Sequence, residues 1–469
     1  MRSLNHLEQY FLQLVSHNNA IPILTVRYEN RINNELFKKA LSFVVKQNDL
    51  LNSNITELNG TYFIKYKNCS SVIYEYRESN KNLLHNDIDV TEVSKLDSFI
   101  LFIILNNIKN SSEVVLCYNH SLFDGVSINN LMEDIYKSYN ALTNNETLII
   151  QPRLINKDLL EISDRVSSSK LLFDYYLNNL QTSLNIFFRF IESIHQYYLD
   201  DNFKYVTDKE YNNTTLSIDP NLYKKFQINS FEKLNYLKTN KDYSETNYLS
   251  SVRFKRSNYR SISNLCRKNN INIFSYLCAL LADVLHVNYS NSWRQDIKIQ
   301  TFINLRNHKN FSYTSKDQGL LICPYFVNLE CSQENNILKN SKNIFDKLSI
   351  FTEQVSPNYI NEIYRIGNET LDLFYKGYLD LTKFDTNHID LGVNNLGVIK
   401  QFENFKMGKY EAMIFFKTDL LPKIYLYFVT NQNEELFLSL SSSRIHKLDH
   451  KKIFDEIVER FENISIEEE

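Results

Sequence analysis

The chain has 469 residues, enough for two domains that each bury a core of their own. Hydrophobic residues make up 43% of it and charged residues 23%, a balance that excludes an intrinsically disordered chain. The formal net charge of -3, from 52 basic and 55 acidic residues, gives no electrostatic reason to expect a nucleic-acid partner.

Six cysteines occur without a Cys-x-x-Cys pair or a zinc-like cluster, so we expect buried side chains, a reducing compartment and no metal site. They are Cys69, Cys117, Cys266, Cys278, Cys323 and Cys331. The N-terminus shows no apolar stretch of signal-peptide length, and the longest apolar run, 99–105, is too short to span a bilayer. We therefore expect a soluble protein without a transmembrane span.

The first half of the chain is predicted to hold five strands and two helices. The strands are short runs of β-branched and aromatic residues, and the helices have apolar residues at three- and four-residue spacing. The strands are predicted at 21–28, 62–66, 72–76, 99–105 and 114–118, and the helices at 37–45 and 128–139. We expect the last four strands to share one sheet.

A domain boundary is predicted near residue 200. Residues 167–198 are aromatic and helical in character, whereas 200–216 are polar and unpatterned. We expect an N-terminal domain at 1–200 and a C-terminal domain at 217–469, joined by a linker at 201–216.

The second half is again predicted to mix strands with helices, which makes the fold class α/β, or α+β. The same two periodicities identify its elements. The strands are predicted at 248–254, 297–303, 320–327, 389–393, 412–416, 423–428 and 436–440, and the helices at 273–285, 337–355, 360–379 and 453–461.

A histidine motif follows the predicted strand 114–118. The pattern His-x-x-x-Asp starts at both His85 and His120, but only the second copy is followed by glycine. With 10 histidines and 8 glycines in the chain, about 0.01 copies of His-x-x-x-Asp-Gly are expected by chance. Because a strand precedes the motif and a helix follows it, we expect His120 to reach a cleft at the sheet edge.

His120 is the candidate general base and acid. An imidazole with an ordinary pKa of about 6.5 can accept a proton near neutral pH and return it. Asp124, across a tight turn, would orient the ring and point away from the substrate, and Gly125 would permit the turn. From the residues alone, the alternative is a structurally satisfied histidine beside an ordinary Asp-Gly turn.

The segment 118–127, Tyr-Asn-His-Ser-Leu-Phe-Asp-Gly-Val-Ser, resembles the active-site motif of the chloramphenicol-acetyltransferase-like superfamily. Within that superfamily it is most similar to the alcohol O-acetyltransferase family of yeasts. Five weaker segments resemble the same family and lie in its order along the chain. They are 4–12, 40–55, 272–285, 303–306 and 393–397.

This resemblance implies two similar domains, each a mixed sheet with flanking helices, that enclose a tunnel at their interface. An acyl thioester would enter from one side and the acceptor from the other. His120 would deprotonate an acceptor hydroxyl or amine, which attacks the thioester directly without an acyl-enzyme. No cofactor would be tightly bound, and acetyl-CoA or another acyl-CoA would be the co-substrate.

The resemblance also implies supporting roles for Arg306, Asn395 and Gly397 in the second half. Arg306 would pair with Asp124 across the domains, and its alternative is a surface salt bridge or a solvent-facing strand end. Asn395 would lie near the tetrahedral oxyanion. Its alternative is a turn-forming asparagine beside Gly397.

Two positions depart from the family pattern. Asn119 stands where carrier-dependent condensation domains and wax-ester synthases usually have a first histidine, which argues against a peptide-forming condensation domain. Asn394 stands where the family often has serine, which leaves the oxyanion contacts open.

The sequence thus predicts an acyl-CoA-dependent O- or N-acyltransferase, most simply an acetyltransferase. Its acceptor would be a small or lipophilic alcohol, a sterol or a sphingoid-base-like amine. The alternatives are a carrier-protein-dependent condensation enzyme and a non-catalytic binding protein of the same fold. We expect a cytoplasmic monomer with peripheral contact to the endoplasmic reticulum or lipid droplets. The aromatic stretch 172–198 fits a tunnel lining, a membrane contact or, more simply, two core helices.

Overall fold

The computed structural model describes twelve segments of the chain and the single residues 357, 360 and 364. The segments are 2–18, 21–58, 61–67, 70–83, 100–153, 247–289, 296–330, 336–355, 391–400, 404–415, 424–443 and 449–467. The predicted helices at 167–198 and 360–379, the linker at 201–216 and His85 therefore lie outside the described segments.

The first half contributes strands to two sheets. It also contains three α-helices that pack around these sheets. Its elements are β1 (Arg2–Ser3), α1 (His6–Asn18), β2 (Ile21–Tyr28), α2 (Asn34–Lys46), β3 (Ser53–Leu58), β4 (Thr61–Tyr66), β5 (Val72–Glu78), β6 (Leu101–Ile108), β7 (Ser111–Tyr118) and α3 (Gly125–Thr143). A short 3-10 helix, Leu50–Asn52, precedes β3.

The second half repeats this mixture of strands and helices. Its elements are β8 (Asn247–Phe254), α4 (Arg256–Lys268), α5 (Ile273–Tyr289), β9 (Asp296–Asn304), β10 (Ile322–Glu330), α6 (Ile337–Gln354), β11 (Leu391–Ile399), β12 (Met407–Phe415), β13 (Ile424–Asn431), β14 (Leu436–Ser443) and α7 (His450–Glu467).

Two large mixed sheets organise the described residues. The first has the strand order β12-β2-β7-β6-β5 and the second β10-β9-β11-β13-β14-β8. Helices α2 and α3 cover one face of the first sheet, because their apolar stripes share one buried cluster with its strands. Helices α5 and α7 cover the second sheet in the same way. The predicted α/β class is therefore confirmed.

Strand β12 joins the two halves of the chain. It lies in the predicted C-terminal half, yet it pairs antiparallel with β2 at the edge of the first sheet, with Glu411 opposite Thr25. It also packs against β8 and β14 of the second sheet. The two halves thus share a strand, while the boundaries predicted at 200 and 217 remain a prediction.

One expectation about the first half is wrong. Strand β4 does not share a sheet with β5, β6 and β7 but pairs with β1 and β3 in a separate three-stranded sheet. The alternation of side chains along a strand indicates which face is buried, but it carries no information about the pairing partner. Strand β3 and helix α4 were not predicted, since each carries few apolar residues.

The described cysteines agree with the sequence. Cys117, Cys266, Cys278 and Cys323 are buried free thiols, and burial raises the pKa of Cys117 to about 12. Cys69 and Cys331 lie outside the described segments. None of the described helices is by itself long and apolar enough to cross a membrane.

Candidate active site

The predicted motif forms a tight turn between β7 and α3. Strand β7 lies inside the first sheet, paired with β2 and β6, so its end is fixed on both sides. The amide oxygen of Asn119 then accepts hydrogen bonds from the backbone nitrogen of Ser121 at 3.0 Å and from its hydroxyl at 2.7 Å. Asn119 therefore builds the turn that presents His120, and it does not belong to the cavity wall.

The imidazole of His120 is buried and has a fixed tautomer. Its Nδ1 lies 2.9 Å from the carbonyl oxygen of Phe123. Because a carbonyl only accepts hydrogen bonds, Nδ1 carries the proton of the neutral ring and Nε2 is the basic nitrogen. The ring also packs against Phe11, with 4.6 Å between centroids.

The surroundings of His120 keep it neutral near neutral pH. Burial lowers its pKa, and this effect outweighs the Phe123 carbonyl and the negative charge of Asp124, which act in the opposite direction. A neutral imidazole can accept a proton, so the site suits a general base.

Asp124 caps α3 and faces the second half of the chain. Its Oδ1 accepts from the backbone nitrogen of Ser127 at 2.8 Å, and its Oδ2 accepts from that of Leu321 at 2.9 Å. An aspartate at a helix N-cap satisfies free backbone donors and interacts favourably with the helix dipole. The carboxylate thus fixes the start of α3 against the second half of the chain, and its predicted orienting role toward the His120 ring remains a prediction.

Arg306 meets Asp124 in a bidentate ion pair. Its Nη1 donates to Oδ2 at 2.8 Å and its Nη2 to Oδ1 at 3.1 Å. The side chains are 1% and 2% exposed, so the alternative of a surface salt bridge is excluded. The predicted pairing of Arg306 with the motif aspartate is confirmed.

Ser127 completes this network, although no pattern in the sequence identified it as a site residue. Its hydroxyl donates to the carbonyl oxygen of Gly319 at 2.8 Å. The same hydroxyl oxygen accepts from the backbone nitrogen of Gly319 at 3.0 Å and from Nη2 of Arg306 at 2.7 Å. The only signal in the sequence is its place three residues after the capping Asp124.

Gly125 does not supply the special backbone conformation that the sequence predicted for it. Among the described residues, the glycines with positive φ are Gly319 and Gly397, so Gly125 does not need glycine's conformational freedom. A Cβ at Gly125 would instead lie 2.6 Å from Cδ2 of Leu396. The absence of a side chain lets the start of α3 approach β11.

Asn395 and Gly397 form an irregularity in β11. The side-chain oxygen of Asn395 accepts from the backbone nitrogen of Gly397 at 2.9 Å, and Gly397 has a φ of +87°. The strand register shifts at this point. The turn-forming alternative for Asn395 is therefore confirmed, and its contact with an oxyanion remains a prediction.

A cavity, partly open to solvent, lies where the two halves meet. His120, Asp124, Gly125 and Asn395 line it, whereas Arg306 and Gly397 do not. Strands of both sheets supply an apolar part of the wall. This part includes Ile23, Leu24, Phe302, Ile322, Met413 and Ile414. In the described segments, no group of three or more His, Cys, Asp or Glu side chains could hold a metal ion.

Comparison with known proteins places this geometry in a known fold. No protein-family model matches the chain, and no curated protein matches it. Solved structures do match. The epimerization domain from the third module of tyrocidine synthetase B superposes with a TM-score of 0.60 at 13% identity, over 99% of this chain and 97% of that one. Polyketide synthase associated protein 5 from Mycobacterium tuberculosis gives 0.59 at 10% identity, over 100% and 99%.

Two further matches were solved with ligands. A mutant of the starter condensation domain of rhizomide synthetase RzmA, in complex with C8-CoA, gives a TM-score of 0.52 at 11% identity, over 99% and 94% of the chains. SgcC5 from Streptomyces globisporus, with (R)-(-)-1-(2-naphthyl)-1,2-ethanediol and sucrose, gives 0.54 at 12% identity, over 99% and 97%. The chain has the condensation-domain fold. The chloramphenicol-acetyltransferase-like architecture expected from the sequence is thus confirmed.

Proposed function

We propose that this chain is an acyltransferase that moves an acyl group from an acyl-CoA to an alcohol or amine, with His120 as general base. The proposal rests mainly on His120, whose buried ring lines the cavity between the halves. The Phe123 carbonyl accepts a hydrogen bond from Nδ1 and so keeps the ring proton on that nitrogen. Nε2 is then the nitrogen that receives the proton of the acceptor.

The proposed reaction has two steps that share one proton. The acceptor hydroxyl or amine gives its proton to Nε2 of His120 while its oxygen or nitrogen bonds to the thioester carbonyl carbon. The carbon–sulfur bond of the tetrahedral intermediate then breaks, and Nε2 returns the proton to the departing thiolate. Binding both substrates in one cavity supplies the proximity that the first step needs.

The cavity wall supports direct transfer. Among the described residues that line it there is no serine, threonine, cysteine or lysine, the side chains that most often form acyl-enzymes. Asn395 is the proposed donor to the oxyanion, since the residue borders the cavity and its amide nitrogen can donate. Asp124 and Arg306 act as positioning residues, because they fix the turn that carries His120.

An acyl-CoA donor and an alcohol acceptor agree with the ligands of two structural neighbours. One was solved with C8-CoA and the other with an aryl ethanediol. We further propose acetyl-CoA as the donor, a place in the yeast-type alcohol acetyltransferase family, and a cytoplasmic monomer that contacts the endoplasmic reticulum or lipid droplets peripherally.

A carrier-protein-dependent condensation enzyme is the second candidate, because several neighbours are domains of peptide and polyketide synthetases. Against it stands Asn119, which replaces a first histidine and whose side chain holds the turn. A non-catalytic binding protein of the same fold is the third candidate. A binding protein would not need a histidine whose basic nitrogen is free to accept a proton, nor the Asp124–Arg306 pair, yet the chain has both.

The test is a comparison of donors. The wild-type chain is incubated with acetyl-CoA or with an acetylated carrier protein, together with medium-chain alcohols and long-chain amines. Thiol release is followed and products are identified by mass spectrometry. We expect acceptor-dependent release from acetyl-CoA and an ester or amide about 42 Da heavier than the acceptor, the mass that any acetylation adds. Release only from the loaded carrier would favour the condensation enzyme, and tight binding without product would favour the binding protein.

A further inference from the structure

A second, smaller cavity lies beside the cavity that contains His120. Leu24 and Tyr410 border both cavities. Strands β2, β11 and β12 and helix α3 each contribute to the wall of the first cavity and continue into the wall of the second. On β12, for example, Ala412 borders the first cavity and Met407 the second, with Tyr410 between them along the strand. The second cavity therefore continues the first, and Tyr410 interrupts the two.

The side chain of Tyr410 crosses from β12 to α3. Its hydroxyl donates to Oδ1 of Asn129 on α3 at 3.1 Å, and Nδ2 of Asn129 donates to the carbonyl oxygen of Leu396 on β11 at 2.8 Å. Tyr410 is only 3% exposed, so close packing holds its ring as well as the hydrogen bond does. These contacts join three of the shared walls. The ring of Tyr410 thus forms a fixed partition between the two cavities.

The wall of the second cavity suits an apolar occupant. Apolar and aromatic side chains make up most of it, among them Val26, Tyr28, Met132, Tyr136, Phe405 and Met407. The hydroxyls of the two tyrosines hydrogen-bond to each other.

The other polar side chains of this wall also have partners within the protein. Lys400 pairs with Glu133 at 2.6 Å, and Nδ2 of Asn431 donates to Glu435 at 2.7 Å. The two hydrogen bonds of Asn129 have been described above. A cavity whose polar groups are already paired is a poor site for water and a good one for hydrocarbon.

We propose that Tyr410 sets the length of the alkyl chain that the active-site cavity accepts, and that its removal lets a longer chain extend into the second cavity. This inference rests on the proposed acyl transfer and identifies a residue that selects its substrates. The alkyl chain belongs either to the acyl group of the donor or to the acceptor alcohol. A chain that reaches the ring must fold back or leave methylenes outside the apolar wall, which weakens its binding.

The experiment measures kcat/KM along two series of straight-chain substrates. Acyl-CoAs from butanoyl to decanoyl react with butanol, and alcohols from butanol to decanol react with acetyl-CoA. In the wild type we expect kcat/KM to rise with length and then fall in one of the two series. In Tyr410→Ala this maximum should move to longer chains. The value for the longest substrate should rise at least about tenfold, the gain from burying roughly two more methylenes.

The series that responds identifies the source of the chain, the donor or the acceptor. Equal shifts in both series would indicate a generally loosened site and would overturn the inference. A wild type in which kcat/KM rises to the longest member of both series would overturn it as well, because Tyr410 would then limit neither chain.

Tyr410→Phe is the matched control, because it keeps the ring and removes only the hydroxyl. Its maximum should stay at the wild-type length. Tyr425→Phe controls for the loss of a buried tyrosine hydroxyl, since Tyr425 belongs to neither cavity wall. Met132 borders the second cavity and not the first. Met132→Phe, added to Tyr410→Ala, should fill the second cavity and return the maximum toward the wild-type length.

A smaller change keeps the test valid if Tyr410→Ala does not fold. Tyr410→Leu retains an apolar side chain that is too short to reach α3, so it should shift the maximum in the same direction. Thermal melting identifies the folded variants.

Calorimetric binding gives a second reading that does not depend on turnover. It compares decanol with butanol, and decanoyl-CoA with butanoyl-CoA, in wild type and Tyr410→Ala. A rise of at least about tenfold in one long-to-short affinity ratio supports the inference even if no acceptor reacts, in which case the proposed acyl transfer is what fails. An unchanged maximum and unchanged affinity ratios in a folded Tyr410→Ala would overturn the inference while acyl transfer stands. A gain that Met132→Phe does not reduce would also overturn it.

Discussion

Arg306 and Asp124 are 182 residues apart in the chain, yet they meet in a buried bidentate ion pair. The pair connects the turn that carries His120 to the loop between β9 and β10. The geometry of the base therefore depends on how the two halves pack. All three nitrogens of the Arg306 guanidinium donate hydrogen bonds, since its Nε also donates to the carbonyl oxygen of Asp317 at 2.9 Å.

Removal of the Arg306 side chain should lower the stability of the folded protein. Arg306→Ala leaves the Asp124 carboxylate buried without its cation, which typically costs about 3 to 5 kcal/mol. Arg306→Lys keeps the charge but loses the bidentate geometry, so it should restore only part of this loss. Denaturant unfolding of the three proteins measures the effect. A decrease of less than about 1 kcal/mol in the free energy of unfolding of Arg306→Ala would show that the ion pair does not stabilise the packing of the two halves.

The pH dependence of kcat/KM should report the neutral form of His120. Because its pKa is lowered by burial, the neutral base is present at pH 7 and is lost only as the pH falls through a value below 6.5. The rate should thus be flat near neutrality and decline on the acid side, with a midpoint below 6.5.

Phe11 offers a variant that moves this midpoint. Its ring packs against His120, so Phe11→Ala should admit water, reduce the desolvation and shift the acid limb toward higher pH. Steady-state rates from about pH 5 to 8 for both proteins test this, a range that brackets the ordinary imidazole pKa. A wild-type midpoint above about 7 or an unmoved midpoint in Phe11→Ala would contradict the explanation by burial.

The side chain that position 125 tolerates should be limited by the space beside Leu396 and not by backbone conformation. Gly125→Ala would place its new methyl group against Cδ2 of Leu396, the end of a flexible, half-buried side chain, so we expect it to cost about 0.5 to 1.5 kcal/mol for a shifted rotamer. Leu396→Ala removes the colliding atoms, so the double variant should be more stable than the sum of the two single effects predicts. Urea unfolding of the four proteins completes this double-mutant cycle. Simple additivity would mean that the contact does not limit position 125.

His450 should make the fold sensitive to mild acid. Its imidazole lies between the hydroxyls of Ser442 and Ser250, and burial lowers its pKa to about 4. Since the unfolded chain binds this proton at about pH 6.5 and the folded chain only near 4, stability from this group falls as the pH drops through that window. Wild type should therefore lose more stability than His450→Gln between about pH 7 and 4.5. Parallel losses would refute a role for His450.

The sequence was most informative where the site residues lie close together along the chain. His120, Asp124 and Gly125 lie within six positions, so their spacing and the flanking periodicity were enough to place them between a strand and a helix. Arg306 was reached only through the family resemblance, because a pairing over 182 residues leaves no local pattern.

What the sequence did not show depends on packing between distant segments. The pairing of β12 with β2, the hydrogen bonds of Ser127 and the contact of Leu396 with Gly125 each join segments far apart in the chain.

The most direct test of the account is the rate of acceptor-dependent thiol release from acetyl-CoA by wild type and His120→Ala, with Tyr425→Phe as a cavity-neighbouring control. Loss of a positioned general base should reduce kcat/KM by about 10² to 10⁴-fold, while the melting temperature and the affinity for acetyl-CoA stay close to those of the wild type. A folded, CoA-binding His120→Ala variant that releases thiol at the wild-type rate would contradict the assignment of His120 as the base.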